Sequence, residues 1–218
     1  MKAKFTISEL LQPSDMLLHY MKLTTAIVGA NWLLNDNKED YYSGFGCILT
    51  AVQDYNKSFA LLCTADLKAA AASLVRIQMD NLLYLYAEFL NPERVLDKVY
   101  NKDKKLADIR IADKPIKQKE LLQRLEERFN GVSDIWARYC NFIHPSICHH
   151  KIKFNVGRDS VISDMIFINQ AITEILEDVA SPLEKELKKK RLYSKYKRNL
   201  QEEISKYIYF TKEDEGIE

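Results

Sequence analysis

The stretch DLKAAAASLVRIQMDNLLYLYAEFLNP, residues 66–92, decides the fold class of this chain. It combines good helix formers with apolar residues three and four positions apart, and Asn91-Pro92 supplies the break that ends a helix. Near Leu82–Leu90 almost every helical face is apolar, which is typical of a helix buried on all sides. We therefore predict a central helix that begins near Asp66 and ends before Pro92.

The segments on both sides of this helix also carry apolar residues at helical spacing. Asn130-Gly131 is typical of a helix that ends in a left-handed residue, and Ser133-Asp134 is typical of an N-cap. The predicted helices are a first long one that stops at the polar run 35–40, followed by helices over about 46–62, 93–110, 117–129, 135–143 and from 164 onward. The sequence thus predicts an all-α helical bundle.

One short segment has a different pattern. Residues 151–156 alternate polar and apolar side chains, Gly157 begins a turn-like stretch, and Val161-Ile162 could pair back, which predicts a small β-hairpin over 152–162. Ser181-Pro182 predicts a kink or a restart in the helix that follows. We divide the chain there into a helical bundle, 1–180, and a basic helical C-terminal extension with an acidic end, 181–218.

Length and composition exclude several classes of protein. The chain has 218 residues, which fits one domain with an appended element. With 47% hydrophobic residues, 6 Gly and 5 Pro, it is neither a disordered chain nor a turn-dense β-sandwich. Lys and Arg total 32 against 31 Asp and Glu, so the net charge of +1 gives no sign of a uniformly cationic nucleic-acid binder.

The sequence pattern favours a cytoplasmic protein. The first residues contain no apolar core of a signal peptide, and no run approaches the roughly 18 apolar residues of a membrane span. Without secretion, the four cysteines are expected to be thiols. We expect no membrane association.

Cysteine and histidine cluster in one segment, with Cys140, His144, Cys148, His149 and His150 inside eleven residues. Zinc prefers these residue types, but the paired CxxC spacing of a structural zinc site is absent. A cysteine nucleophile activated by a histidine one turn away is a second alternative. Buried structural thiols explain the cysteines more simply, so we predict no metal and no cofactor.

A short motif in the same segment points to a family. Arg138 is followed by His144 after five intervening residues, and upstream the chain carries Arg76-x3-Asp80. Together with Trp136, Tyr139 and the sequence His144-Pro-Ser, these motifs resemble the HEPN superfamily and an uncharacterised bacterial family within it. The resemblance covers roughly residues 60–180.

The resemblance implies a HEPN-like helical bundle that acts on RNA. Many bacterial members are metal-independent endoribonucleases of toxin–antitoxin or antiphage systems, whose site is often shared between two subunits. It implies that His144 transfers protons, that Arg138 clamps the phosphate and that Asn141 is a polar support. A homodimer and an antitoxin or other protein partner are expected on the same grounds.

The motif chemistry is also understandable from the side chains alone. RNA can supply its own 2′-hydroxyl as nucleophile, an imidazole exchanges protons near neutral pH, and a guanidinium stabilises charge on the phosphate. If they line the same cavity as His144, Arg76 and Asp80 hold the substrate phosphate, with Tyr139 as a further substrate-binding candidate.

Each of these residues has a structural alternative. Arg138 can pair with Glu126 or Glu127, and His144 can cap its own helix. Arg76 and Asp80 lie one turn apart and can form a mutually satisfied ion pair. Six residues rotate about 600° on a helix, which places Arg138 and His144 about 120° apart.

The basic extension provides a second set of candidate RNA contacts. Lys189 and Arg191 lie in a cationic run that continues with Tyr193 and Tyr196, a pattern suited to a phosphate backbone and stacked bases. A solvated helix face explains the same run. The sequence thus predicts an RNA-directed protein, with an endoribonuclease as the leading hypothesis, a non-catalytic nucleotide- or protein-binding module as the alternative and a metal-dependent enzyme third.

Overall fold

The described part of the chain is built almost entirely from helices. The computed structural model describes residues 27, 40–90, 95–96, 99, 110–111, 114–115, 117–143, 157–199 and 201–202. The elements in chain order are α1 (Asp40–Thr64), α2 (Lys68–Leu90), β1 (Arg110–Ile111), β2 (Lys114–Pro115), α3 (Gln118–Arg128), α4 (Val132–Ile143), α5 (Arg158–Lys189) and α6 (193–199). The all-α prediction is confirmed, and the two strands form only a two-residue antiparallel ladder.

Helix α2 is the centre of the bundle. It packs against α1, α3, α4 and α5, and the residues it buries lie on most sides of the helix. Small side chains at Ala71 and Ala72 allow neighbouring helices to approach closely, while Leu82, Leu83 and Leu85 fill the space at the other end. The prediction of a central, buried helix is confirmed.

Helix α5 supplies the longest apolar stripe. Its buried residues at intervals of three and four include Met165, Ile168, Ile172 and Ile175, as the sequence predicts. The helix begins at Arg158, however, and not at residue 164. It extends further at its other end as well, because the chain stays helical through Pro182 and does not restart there.

The predicted return strand of the hairpin over 152–162 is wrong. Val161 and Ile162 lie in the first turns of α5, where both side chains are buried against the core. Val161 precedes Met165 by four residues, so it extends the apolar stripe of the helix, and tertiary burial overrides the weak β preference of two branched residues. Residues 151–156, the other arm of that prediction, lie outside the described residues.

The turn between α3 and α4 combines a glycine with a capping carboxylate. Gly131 has a φ of 97°, which confirms the predicted left-handed residue after α3. The predicted N-cap at Ser133 is wrong, because α4 already begins at Val132. Glu126 accepts hydrogen bonds from the backbone N–H of Gly131 at 2.8 Å and of Ser133 at 2.7 Å. These bonds lower the pKa of the Glu126 carboxyl.

Four carboxamide side chains connect α1, α2 and α5 inside the bundle. Asn56 and Asn169 exchange hydrogen bonds at 3.2 and 2.9 Å, and Gln78 donates to Asn56 Oδ1 at 3.2 Å and to the Val52 carbonyl at 3.1 Å. Asn81 donates to Gln78 Oε1 at 2.8 Å. Because buried amides are costly unless they are hydrogen-bonded, this network selects one alignment of the three helices.

Several predicted elements fall largely outside the described residues. Of the first long helix only Ile27 is described, and it is helical and buried. Of the helix over 93–110, Val95 and Leu96 are helical and buried, in agreement with their predicted place on its inner edge. The residues 43–46, predicted to precede the second helix, lie within α1.

Candidate functional site

The first polar cluster lies where α2 meets α4. Arg76 is 8% exposed and forms an ion pair with Asp80 one turn further along α2. Its guanidinium lies 5.1 Å from the ring centroid of Trp136 on α4, and the thiol of Cys140 lies beside it. Burial acts to lower the pKa of Arg76, but the hydrogen bonds and charges of Asp80 and Cys140 together outweigh it and raise that pKa. The guanidinium is therefore a permanent, largely desolvated cation.

The second cluster lies where α4 meets α5. Asp164 Oδ2 accepts hydrogen bonds from Arg138 and from the Tyr139 hydroxyl, the latter at 2.7 Å. Tyr139 is completely buried, and burial together with the Asp164 carboxylate raises the pKa of its hydroxyl. The predicted alternative partner of Arg138 is therefore wrong for Glu126, which caps α4 instead.

The two arginines lie on different sides of α4, Arg76 as a neighbour on α2 and Arg138 as a residue of α4 itself. Arg76 meets α4 at Trp136 and Cys140, which lie four residues apart and so share one face. Arg138 follows Trp136 by two residues, about 200° around the helix, and is paired with α5. The structure pairs Arg76 with Asp80, and it joins Arg138 and Tyr139 through the shared Asp164 carboxylate.

The remaining predicted catalytic positions are only partly described. Asn141 lies in α4, but its side chain is outside the described residues, as are all atoms of His144. Of the cysteine and histidine cluster only Cys140 is described, where it is partly exposed. Among the described residues no three His, Cys, Asp or Glu side chains are placed to hold a metal ion.

A third feature is a strongly cationic turn, which we call the basic corner and define as residues 188–198. It contains seven lysines and arginines and no acidic residue, and all seven side chains are exposed. Two of them are the predicted substrate contacts Lys189 and Arg191. Lys189 lies 3.6 Å from Glu186, which precedes the corner on α5.

Apolar packing holds the basic corner in place. Leu187 and Tyr196 are 0% and 2% exposed and pack with Leu183, Leu192 and Tyr193 in a small cluster under the turn. Above it, Lys188 Nζ and Lys197 Nζ lie 4.7 and 5.4 Å from the centroid of the Tyr193 ring. The extension therefore packs on its apolar side and carries charge on its exposed side at these residues.

The residues that hold the candidate site in place have distant partners, which local sequence does not indicate. Asp164 marks only the start of a predicted helix, and nothing near it in the sequence indicates Arg138, 26 residues away, as its partner. The amides Asn56 and Asn169 are 113 residues apart. A polar residue on an otherwise apolar helix face was the one available signal for Asn169.

Comparison with protein-family models, with curated proteins and with solved structures finds no match for this chain. Among the described helices, none is both long enough and apolar enough to cross a bilayer. The proposed homodimer and antitoxin concern further chains and stay predictions.

Proposed function

We propose that this protein is RNA-directed, that it contacts the RNA backbone through the basic corner, and that it is a metal-independent endoribonuclease in which His144 transfers protons. The observation that carries the proposal is the run of seven exposed cations, without any acid, over the eleven residues 188–198 that join α5 to α6. The catalytic part of the proposal rests on the sequence motif around His144.

The chemistry of the basic corner suits a phosphate backbone. Neutralising several phosphates releases their counterions, which gives affinity without reading the base sequence. Tyr193 lies between two lysines and offers a ring on which a base can stack. The seven exposed side chains are accessible to a phosphate backbone, although Lys189 also lies 3.6 Å from the Glu186 carboxylate.

The proposed cleavage needs no metal or cofactor. His144 removes the proton of the 2′-hydroxyl as its oxygen attacks the adjacent phosphorus, and the bond from phosphorus to the 5′-oxygen breaks. The leaving oxygen takes up a proton from solvent and the imidazolium returns its proton to solvent, so that a cyclic phosphate and a 5′-hydroxyl remain. A guanidinium stabilises the charge that grows on the phosphate. The candidates for this role are Arg138 and Arg76, each of which has to exchange its carboxylate partner, Asp164 or Asp80, for the phosphate.

A second candidate function is RNA binding without cleavage. The specific observation in its favour is that the carboxylate of Asp164 already occupies Arg138, the arginine of the motif, together with Tyr139. A guanidinium held in this way must give up an ion pair before it can bind a phosphate. In this alternative the motif stabilises the contact between α4 and α5.

Binding and cleavage are tested separately on the full chain. We expect a labelled RNA of mixed sequence to be cut in the presence of EDTA, and His144→Ala to abolish cutting while RNA affinity and thermal stability stay unchanged. His19→Ala is the matched control and should cut normally. Wild-type cleavage by the His144 variant contradicts the catalytic proposal, and binding without any cleavage supports the second candidate.

The binding surface has its own test. We expect Lys189→Glu combined with Lys195→Glu to weaken RNA binding by about 100-fold or more at physiological salt, since each reversal removes one phosphate contact and adds repulsion. The control reverses two exposed lysines elsewhere, Lys57 and Lys119, so that net charge changes equally. Equal losses in both double variants mean that net charge and not the basic corner attracts RNA.

A further inference from the structure

Arg191, at the end of α5, has a backbone conformation that an arginine rarely adopts. Its φ is 58°, in the left-handed region. Its N–H donates to the Lys188 carbonyl at 3.1 Å, and the N–H of Leu192 donates to the Leu187 carbonyl at 2.9 Å. These two bonds define a Schellman motif, in which the left-handed position is usually glycine because any Cβ crowds the backbone there.

The junction of α1 and α2 repeats this geometry with a different side chain. Asp66 has a φ of 55°, its N–H donates to the Cys63 carbonyl at 3.3 Å, and the N–H of Leu67 donates to the Leu62 carbonyl at 2.8 Å. The turn therefore forms with an acid as well as with a base. Its backbone gives no reason for a cation at position 191.

The surroundings of Arg191 hold its backbone in one place. The side chains of Leu187 and Leu192, the two residues joined by the 2.9 Å backbone hydrogen bond, lie in the apolar cluster under the corner with Tyr196. Arg191 itself is exposed, and the three lysines before it are exposed as well. The exposed Arg191 side chain thus extends from a backbone that is held in place in the turn between α5 and α6.

We infer that Arg191 is the principal phosphate anchor of the basic corner, present at a left-handed position at the expense of stability. This inference rests on the proposed RNA binding and names its decisive contact. A guanidinium can bind a phosphate through two parallel hydrogen bonds, which an ammonium cannot do. A fixed backbone also loses less conformational entropy when the contact forms.

The shape of the corner favours RNA over an anionic membrane. Membrane-surface helices insert an apolar face between lipid headgroups. Here the apolar residues Leu187 and Tyr196 are turned into the protein and are 0% and 2% exposed. The exposed surface of the corner is cationic, which suits a phosphate backbone.

The test compares three glycine or alanine variants of the full chain. Arg191→Gly relieves the backbone strain of the left-handed position and removes the cation. Lys190→Ala removes a neighbouring cation at a residue with a negative φ. Asp66→Gly changes a left-handed residue to glycine away from the corner. Melting temperature and affinity for a single-stranded RNA of about 15 nucleotides are measured at several salt concentrations.

We expect Arg191→Gly to raise the melting temperature by about 2–4 °C and to weaken RNA binding by about tenfold, with the slope of log affinity against log salt reduced by about 0.7. Lys190→Ala should weaken binding clearly less, and Asp66→Gly should raise the melting temperature without affecting RNA. Arg191→Asn, which tolerates the left-handed region but has no charge, should lose the same affinity.

The outcomes separate this inference from the proposed function. Lys189→Glu combined with Lys195→Glu can weaken RNA binding while Arg191→Gly and Lys190→Ala lose equal affinity for RNA. In that case Arg191 is not the anchor and the proposed function stands. A lower melting temperature for Arg191→Gly overturns the argument from strain. If wild-type protein binds phosphatidylserine vesicles and not RNA, both proposals fail.

Discussion

The contact between Asp164, Arg138 and Tyr139 leads to a prediction that separates a structural role of the motif arginine from a functional one. The perturbation is Asp164→Ala, which removes the acceptor of both side chains. The Asp164 side chain is 13% exposed and Tyr139 is 0% exposed, so the tyrosine hydroxyl loses a partner where water does not replace it.

The expected cost follows from these two bonds. A buried hydrogen bond to a charged acceptor contributes about 1.5–3 kcal/mol. The Arg138 side chain is 41% exposed, and an ion pair at such a site adds about 0–1 kcal/mol. We therefore expect Asp164→Ala to lower the free energy of unfolding by about 2–4 kcal/mol, most of it through Tyr139.

The assay is urea unfolding of four proteins in a double-mutant cycle that combines Tyr139→Phe with Asp164→Ala. We expect a coupling energy of about 1 kcal/mol or more, because the two groups share one hydrogen bond. Ser163→Ala, at the exposed neighbouring position, is the control and should cost less than about 0.5 kcal/mol. A coupling energy near zero refutes the argument. RNA affinity supplies the functional readout: a gain in Asp164→Ala indicates that the released Arg138 binds phosphate.

Two further predictions concern the contacts that hold the bundle together. Glu126→Gln should cost about 1 kcal/mol at pH 7, since it weakens the cap of α4, and Glu127→Gln should cost almost nothing. Because folding lowers the pKa of Glu126, its carboxylate stabilises the protein fully above pH 4.5. The difference in stability between wild type and Glu126→Gln should therefore disappear as the pH falls below the pKa of Glu126 in the folded protein. A difference that stays constant down to about pH 2–3 contradicts this assignment. Asn169→Ala should lower the free energy of unfolding by about 2–3 kcal/mol, because it removes a buried side chain and leaves an Asn56 amide without its partner, whereas Gln170→Ala on the exposed face of α5 should have little effect.

Much of the helical architecture could be predicted because its causes are local. The spacing of Ile168, Ile172 and Ile175 determines which face of a helix is apolar wherever that helix packs. Asn130-Gly131 predicts a left-handed residue because glycine alone has no steric cost there, and the φ of Gly131 agrees. Helix α2 ends at Leu90, two residues before Pro92, as the proline predicts.

The errors in prediction occur where burial outweighs local preference. Val161 and Ile162 have the branched side chains of a strand, but they become helical because the core of the bundle covers them. Pro182 removes one backbone hydrogen bond, and yet α5 continues, with buried Ala180 before it and buried Leu187 after it. Rules based on neighbouring residues do not include the tertiary packing that decides these positions.

The candidate site divides in the same way. The sequence by itself determines that a dense cationic run follows residue 187, since charge is a property of composition and needs no fold. It also determines the chemistry available to Arg76, Arg138 and His144. Only the tertiary structure decides that Arg138 is held by Asp164, that Arg76 faces Trp136, and that Arg191 occupies a left-handed position. These facts depend on contacts between distant segments and on backbone angles fixed by packing, and neither is determined by the identity of neighbouring residues.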